Sequence, residues 1–220
     1  MKRNCTLKDI SDGRLYRAND LVRADSRGCA GCSQCCRGMG ASVILDPYDV
    51  YRLRTEAGYG LERLLGEGRA ELNVVDGVIL PNLRMAGAEE CCTFLDGQGR
   101  CGIHKSRPGI CRIFPLGRYY ENGDFSYFLQ AGQCREANCA KVKVSKWIDT
   151  PRQRENHAFL CNWHYFLNEL EERLSEADDE ERKQLNLQLL YTFYFVEDIG
   201  EQDFYVWFEE GLQQLRRRLQ

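Results

Sequence analysis

Residues 29–40 read CAGCSQCCRGMG, four thiols and three glycines in twelve positions, and the fold turns on this stretch. Cys29, Cys32 and Cys35 stand three residues apart. Thiolates at that spacing in a glycine-bearing loop can converge on one metal centre. The same triplet opens the ferredoxin run that wraps an iron–sulfur cubane, whose fourth ligand comes from farther along the chain. Paired C-x2-C spacing also suits structural zinc. The loop therefore indicates metal and leaves its identity open. Cys36 follows Cys35 directly, and neighbouring side chains of an extended segment point to opposite sides. Cys36 then serves a second site, bridges, or is spare, and Cys91-Cys92 raises the same question.

Working outward, residues 91–115 read CCTFLDGQGRCGIHKSRPGICRIFP. Cys92, Cys101 and Cys111 are spaced by about ten residues, with a glycine-rich turn between the first two and Pro108 and Pro115 stiffening the rest. This segment has little apolar content, so a metal would supply its ordering energy. Structural zinc in peptides is worth about 10–16 kcal/mol, as much as the whole stability of a typical domain. Cys134 and Cys139 lie farther on.

Two turn signals flank the second cysteine stretch. Asp76-Gly77 separates the apolar runs of ELNVVDGVILPNL, and Asn122-Gly123 divides RYYENGDFSYFLQ; both predict β-hairpins. In LDPYDVYRLRTEAG, Asp46 caps a helix, Pro47 takes its first position and Gly58 ends it. A short helix is expected at Leu61 to Leu65. Beyond Pro151 the pattern changes. Phe159, Trp163, Phe166, Leu167, Leu170 and Leu174 share a helical face, followed by Leu185, Leu189, Phe193 and Val196, then Phe204, Trp207, Phe208, Leu212, Leu215 and Leu219. Three amphipathic helices need a partner face. The expected fold class is α+β: a cysteine-rich, metal-stapled loop and hairpin domain packed against a C-terminal helical region. The expected divisions are an N-terminal arm (1–28), the cysteine-cluster domain (29–148) and three helices (149–220).

The chain has 220 residues and could bury roughly 70–75% of its unfolded surface. It needs no disulfides to fold, yet it carries twelve cysteines. The N-terminus, MKRNCTLKDISDGRLY, has no apolar run of a secretory signal. No segment approaches the roughly 18 apolar residues that span a bilayer. A cytoplasmic protein is expected, in a reducing compartment where dense cysteines read as metal or redox chemistry. The net charge of −3 gives no electrostatic case for nucleic acid. Arg216-Arg217-Arg218 ends a predicted helix, where cations suit the dipole. The aromatic face of the last helices is packing surface first and a surface for a protein partner second. No nucleotide-binding loop, nucleophile elbow or paired-histidine zinc motif occurs.

The two cysteine stretches and Cys134 together resemble the YkgJ-type cysteine-cluster proteins, named for a CxxCxxCC signature and described as zinc- or iron-chelating. The resemblance rests on CAGCSQCCRGMG and CTFLDGQGRCGIHKSRPGICRIFP and covers about residues 29–134. It implies eight metal-ligating cysteines: Cys29, Cys32, Cys35, Cys36, Cys92, Cys101, Cys111 and Cys134. Cys5, Cys91, Cys139 and Cys161 fall outside the pattern. Cys161 is expected to be an inert core thiol, and Cys91 and Cys139 supplementary at most. Eight thiolates make two sets of four, which suits two zinc sites, two iron–sulfur clusters of the 4Fe-4S type, or one cluster beside a single metal. Four thiolates on one divalent ion leave a charge of −2, which calls for nearby cations. Arg37, Arg107 and Arg112 are the candidates to contact such a cofactor. His104 has ligand spacing from Cys101, but the resembled family often carries tyrosine there. The resemblance extends to flagellin lysine N-methylases, which share the cysteine cluster and use S-adenosylmethionine. That implies protein modification as one activity, in a chain shorter than a full methylase and lacking the C-x3-C-x2-C triplet of standard radical enzymes of that cofactor. The competing expectations are a zinc-stapled interaction module and a metal carrier.

Overall fold

A computed structural model of the chain describes residues 6–25, 32–132, 134 and 139–219. In chain order the elements are α1 (Leu7–Ile10), β1 (Leu21–Asp25), α2 (Pro47–Ala57), α3 (Leu61–Gly66), β2 (Ala70–Val75), β3 (Val78–Leu83), β4 (Met85–Ala86), β5 (Cys91–Cys92), α4 (Gly109–Ile113), β6 (Leu116–Glu121), β7 (Asp124–Leu129), β8 (Ala140–Lys143), α5 (Val144–Ile148), α6 (Gln153–Glu176), α7 (Asp179–Phe193) and α8 (Phe204–Leu219). Among the described residues every sheet is a two-stranded antiparallel pair. The fold is α+β, with small sheets around a cysteine-rich region and long helices at the C-terminal end.

Local chemistry explains several of these elements. The turns at Asp76-Gly77 and Asn122-Gly123 have positive φ at both residues (51° and 85°, 54° and 79°). That is the geometry whose twist suits a tight hairpin, and it joins β2 to β3 and β6 to β7. The Asp46 side chain accepts the Asp49 amide at 2.8 Å, and Asp49 accepts the Asp46 amide at 3.2 Å, a reciprocal cap over Pro47 at the start of α2. Gly58, at φ 73°, closes that helix. α7 starts on Asp178, which accepts the Glu181 amide at 2.9 Å. It stops at Phe193, so Val196 lies beyond the helix its spacing suggests.

The three long helices supply about half of the main core. Phe159, Trp163, Phe166, Leu170 and Leu174 of α6, Leu185, Leu189 and Phe193 of α7, and Phe204, Phe208, Leu212 and Leu215 of α8 are buried together. Each such side chain contributes about 1.5–3 kcal/mol by leaving water. Gly211 lets α8 approach α7: a Cβ there would sit 2.9 Å from the Phe193 ring. The core continues into the cysteine half through Leu45, Leu53, Leu64, Leu83 and Phe94. Polar links tie the halves as well. Fully buried Tyr194 donates its hydroxyl to the Leu45 carbonyl at 2.9 Å. Asn186 accepts the Ile79 amide at 2.6 Å.

Several elements were not announced by the sequence, β1 and its partner β8 among them. Residues 21–25, within the expected N-terminal arm, form β1 and pair with β8, Leu21 opposite Lys143. Val22 and Ala24 then point into a second small core with Tyr16, Ile113, Leu116, Val144 and Ile148. Residues 1–5 and 26–28 of the arm lie outside the described residues.

Candidate metal centre

The first cysteine loop is not extended where its ligands sit. Gln34–Cys36 is a 3-10 turn entered through Ser33 at φ 51°. The tight turn sets the adjacent thiols side by side, and each acts on the other. The neighbouring Cys36 thiol holds Cys35 down at about 7, helped by its own backbone amide and the Arg107 charge, against the effect of burial. The same contact, with burial, pushes Cys36 far up. Alternation in an extended strand, which would separate neighbours, therefore does not apply to this pair.

The second cysteine stretch folds back onto this turn. A bridge pairs Arg37 with Cys91, and the Gly38 amide donates to the Glu90 carbonyl at 2.9 Å. Cys91 and Cys92 form β5 beside β4, with Cys92 opposite Met85. A further bridge joins Leu95 to Cys101 across the glycine turn. Cys111 sits on α4, after Pro108. Burial raises the Cys92, Cys101 and Cys111 thiols, and each feels a neighbouring thiolate: Cys101 acts on Cys92, Cys35 acts on Cys101, and Cys92, Cys101 and Cys35 act on Cys111. Cys36 feels Cys111 and Cys92. Cys35, Cys36, Cys92, Cys101 and Cys111 thus gather from separate stretches of chain, and the last three rest against the main core.

The other candidates stand differently. Cys29 and Cys5 lie outside the described residues. Cys32 is exposed, Cys134 half-buried and Cys139 buried. Cys32, Cys35, Cys36, Cys91, Cys92, Cys101, Cys111, Cys134 and Cys161 carry free thiols. Among the described residues no three cysteine sulfurs lie within 4.8 Å of one another.

The three arginines do three things. Arg37 donates to the Cys91 sulfur at 2.9 Å and pairs with Glu89. Arg107 donates to the His104 carbonyl at 3.0 Å, and its charge favours the thiolates of Cys35 and Cys101. Arg112, 6% exposed, turns to backbone, donating to the Asp149 carbonyl at 3.2 Å and to the Lys105 carbonyl. Burial, with Arg52 and Arg107 beside it, brings the Arg112 guanidinium down to about 10.

Behind Cys111 lies a polar seat that the cysteine pattern does not announce. Asp49, 5% exposed, accepts the Gly109 amide at 2.7 Å and so pins the start of α4 to the start of α2. Burial raises its carboxyl, while the amides of Gly109 and Asp46 and the charges of Arg118 and Arg52 oppose the rise. Asp46, Asp49, Arg52, Arg112 and Arg118 line a cavity of about 20 Å³, space for a single water. The Nε atoms of Arg112 and Arg118 have no protein partner there. The only signal in the sequence was the second aspartate of LDPYD, at the third helical position.

Thiols from distant segments, partly buried and flanked by arginines, on a small α+β frame make a chelating protein by their chemistry: soft donors with cationic neighbours suit zinc or iron. The family model "CxxCxxCC: Putative zinc- or iron-chelating domain" matches residues 28–147, more than half of the chain, and the chain belongs to that family. No curated protein and no solved structure matches it. Among the described residues no helix is long and apolar enough to cross a membrane.

Proposed function

We propose that the protein holds iron as an iron–sulfur cluster of the 4Fe-4S type, with redox chemistry as its use. The ligands would be drawn from Cys29, Cys32, Cys35, Cys36, Cys92, Cys101, Cys111 and Cys134. The observation that supports this reading is the gathering of Cys35, Cys36, Cys92, Cys101 and Cys111 from separate stretches of chain, each acting on another's charge. The triplet Cys29, Cys32 and Cys35 has the spacing that opens a ferredoxin cluster run, whose remaining ligand comes from farther along the chain. Arg107 beside Cys35 and Cys101 offsets thiolate charge, as such a centre needs.

The test is iron, zinc and acid-labile sulfide content of protein purified without oxygen. Brown protein with iron and sulfide in equal amounts supports the reading. Colourless protein with stoichiometric zinc and no sulfide overturns it in favour of a zinc-stapled interaction module, with the C-terminal helices as the partner surface. Methylation through S-adenosylmethionine would be a further use of the same cluster. Incubating reduced protein with that cofactor and a lysine-bearing protein, and weighing the product, decides it.

A further inference from the structure

A second set of metal donors lies away from the cysteine loops. His157 and Cys161 are four residues apart on α6, so both face the same side of the helix. Opposite them, just after the Asn122-Gly123 turn, stands Asp124, the first residue of β7. The His157 Nε2 is 2.6 Å from Asp124 Oδ1, and the Cys161 Sγ is 4.0 Å from the same oxygen. All three donor atoms lie within 4.8 Å of one another, a grouping not repeated among the described residues.

We infer that Asp124, His157 and Cys161 form a binding site for a divalent transition-metal ion of the zinc type, distinct from the cysteine cluster. Donor chemistry, charge and access support it. Sulfur, nitrogen and oxygen donors reach zinc at about 2.3, 2.0 and 2.1 Å, so an ion fits between atoms already this close after small side-chain movements. One thiolate, one carboxylate and one neutral imidazole cancel the charge of a divalent ion, and the loaded site is neutral. Arg17 pairs with the outer oxygen, Oδ2, at 2.7 Å, and the Phe125 amide donates to Oδ1 at 2.8 Å, which orients the carboxylate. The His157 ring stacks on Phe125 at 4.2 Å, fixing its plane. Cys161 is 7% exposed whereas the His157 and Asp124 side chains are 39% and 46% exposed. The floor is closed and the mouth is open, leaving a fourth position to water or a ligand, as in zinc sites that do chemistry.

Cobalt(II) is the probe. Full-length protein, carrying whatever its cysteine cluster holds, is titrated with cobalt(II) and followed by absorption. Wild type should bind one added equivalent with a thiolate-to-cobalt band in the near ultraviolet and the visible bands of a four-coordinate ion. Cys161→Ser should lose the near-ultraviolet band. His157→Gln and Asp124→Asn should weaken binding by more than roughly tenfold. Zinc should raise the melting temperature of wild type and leave that of His157→Gln unchanged. Far-ultraviolet circular dichroism shows that each variant is folded. No added equivalent in wild type, or identical cobalt spectra in wild type and all three folded variants, overturns the site. Neither result bears on the iron and sulfide content of the cysteine cluster.

Discussion

Replacing Asp49 with alanine tests how the cysteine half is held. Asp49 accepts the Gly109 amide at 2.7 Å and the Asp46 amide at 3.2 Å, in a position 5% exposed. Alanine leaves both donors without that acceptor. A buried orphan costs about 1–3 kcal/mol, so two cost about 2–6. Arg118 and Arg52 also lose a counter-charge. Against this, the carboxylate no longer bears the burial that raises its pKa. The balance is a loss of about 2–4 kcal/mol. Asp49→Asn keeps one oxygen acceptor for Gly109 and should lose about half as much. Urea unfolding of folded, equally metal-loaded protein gives the numbers. Since α4 carries Cys111, a chelator should also strip metal from Asp49→Ala about tenfold faster. Alanine within about 0.5 kcal/mol of wild type, with unchanged metal release, would refute the claim that this carboxylate anchors the cysteine segment.

Cys32→Ser should lower metal content and melting temperature together; unchanged values for both would remove Cys32 from the ligand set. Tyr194→Phe takes the donor from the Leu45 carbonyl in a closed core and should cost about 1–2 kcal/mol in urea unfolding; a variant as stable as wild type would show the carbonyl finding another donor. Burial, then the Asp49 charge, raises the Asp46 carboxyl from its ordinary 3.8 to about 8. A raised carboxyl stabilises the fold fully below 3.8 and loses that stabilisation as pH climbs to about 8. Asp46→Asn, which still caps the helix, should therefore gain on wild type as pH rises through that window, and a stability difference independent of pH would contradict it.

The parts legible in the sequence were those whose cause is local. Asp76-Gly77 and Asn122-Gly123 announce hairpins because their backbone conformation does. The α6 and α8 faces are visible because a helix repeats its burial every few residues. β1 was hidden: it is short, Leu21 is 57% exposed, and its partner lies more than a hundred residues on. The cysteine motif announced a metal centre, but the turn that sets Cys35 beside Cys36 is entered through a left-handed Ser33 that no residue type signals. The Asp124 site was half visible. The spacing of His157 and Cys161 could be read, whereas the aspartate arrives only when the hairpin docks on the helix.

The pairing of β1 with β8 has a temporal consequence. Leu21 must wait for Lys143, 122 residues later, before the strand can close. At about 5–20 residues per second of synthesis that interval is roughly 6–24 s. Throughout it the ribosome displays Cys29, Cys32, Cys35 and Cys36, then Cys92, Cys101 and Cys111, on a tether whose ends are still apart. Loading during translation and loading after release thus become separate kinetic routes. A strand-breaking proline at Val22 would slow closure and so keep the ends apart after Lys143 has been made.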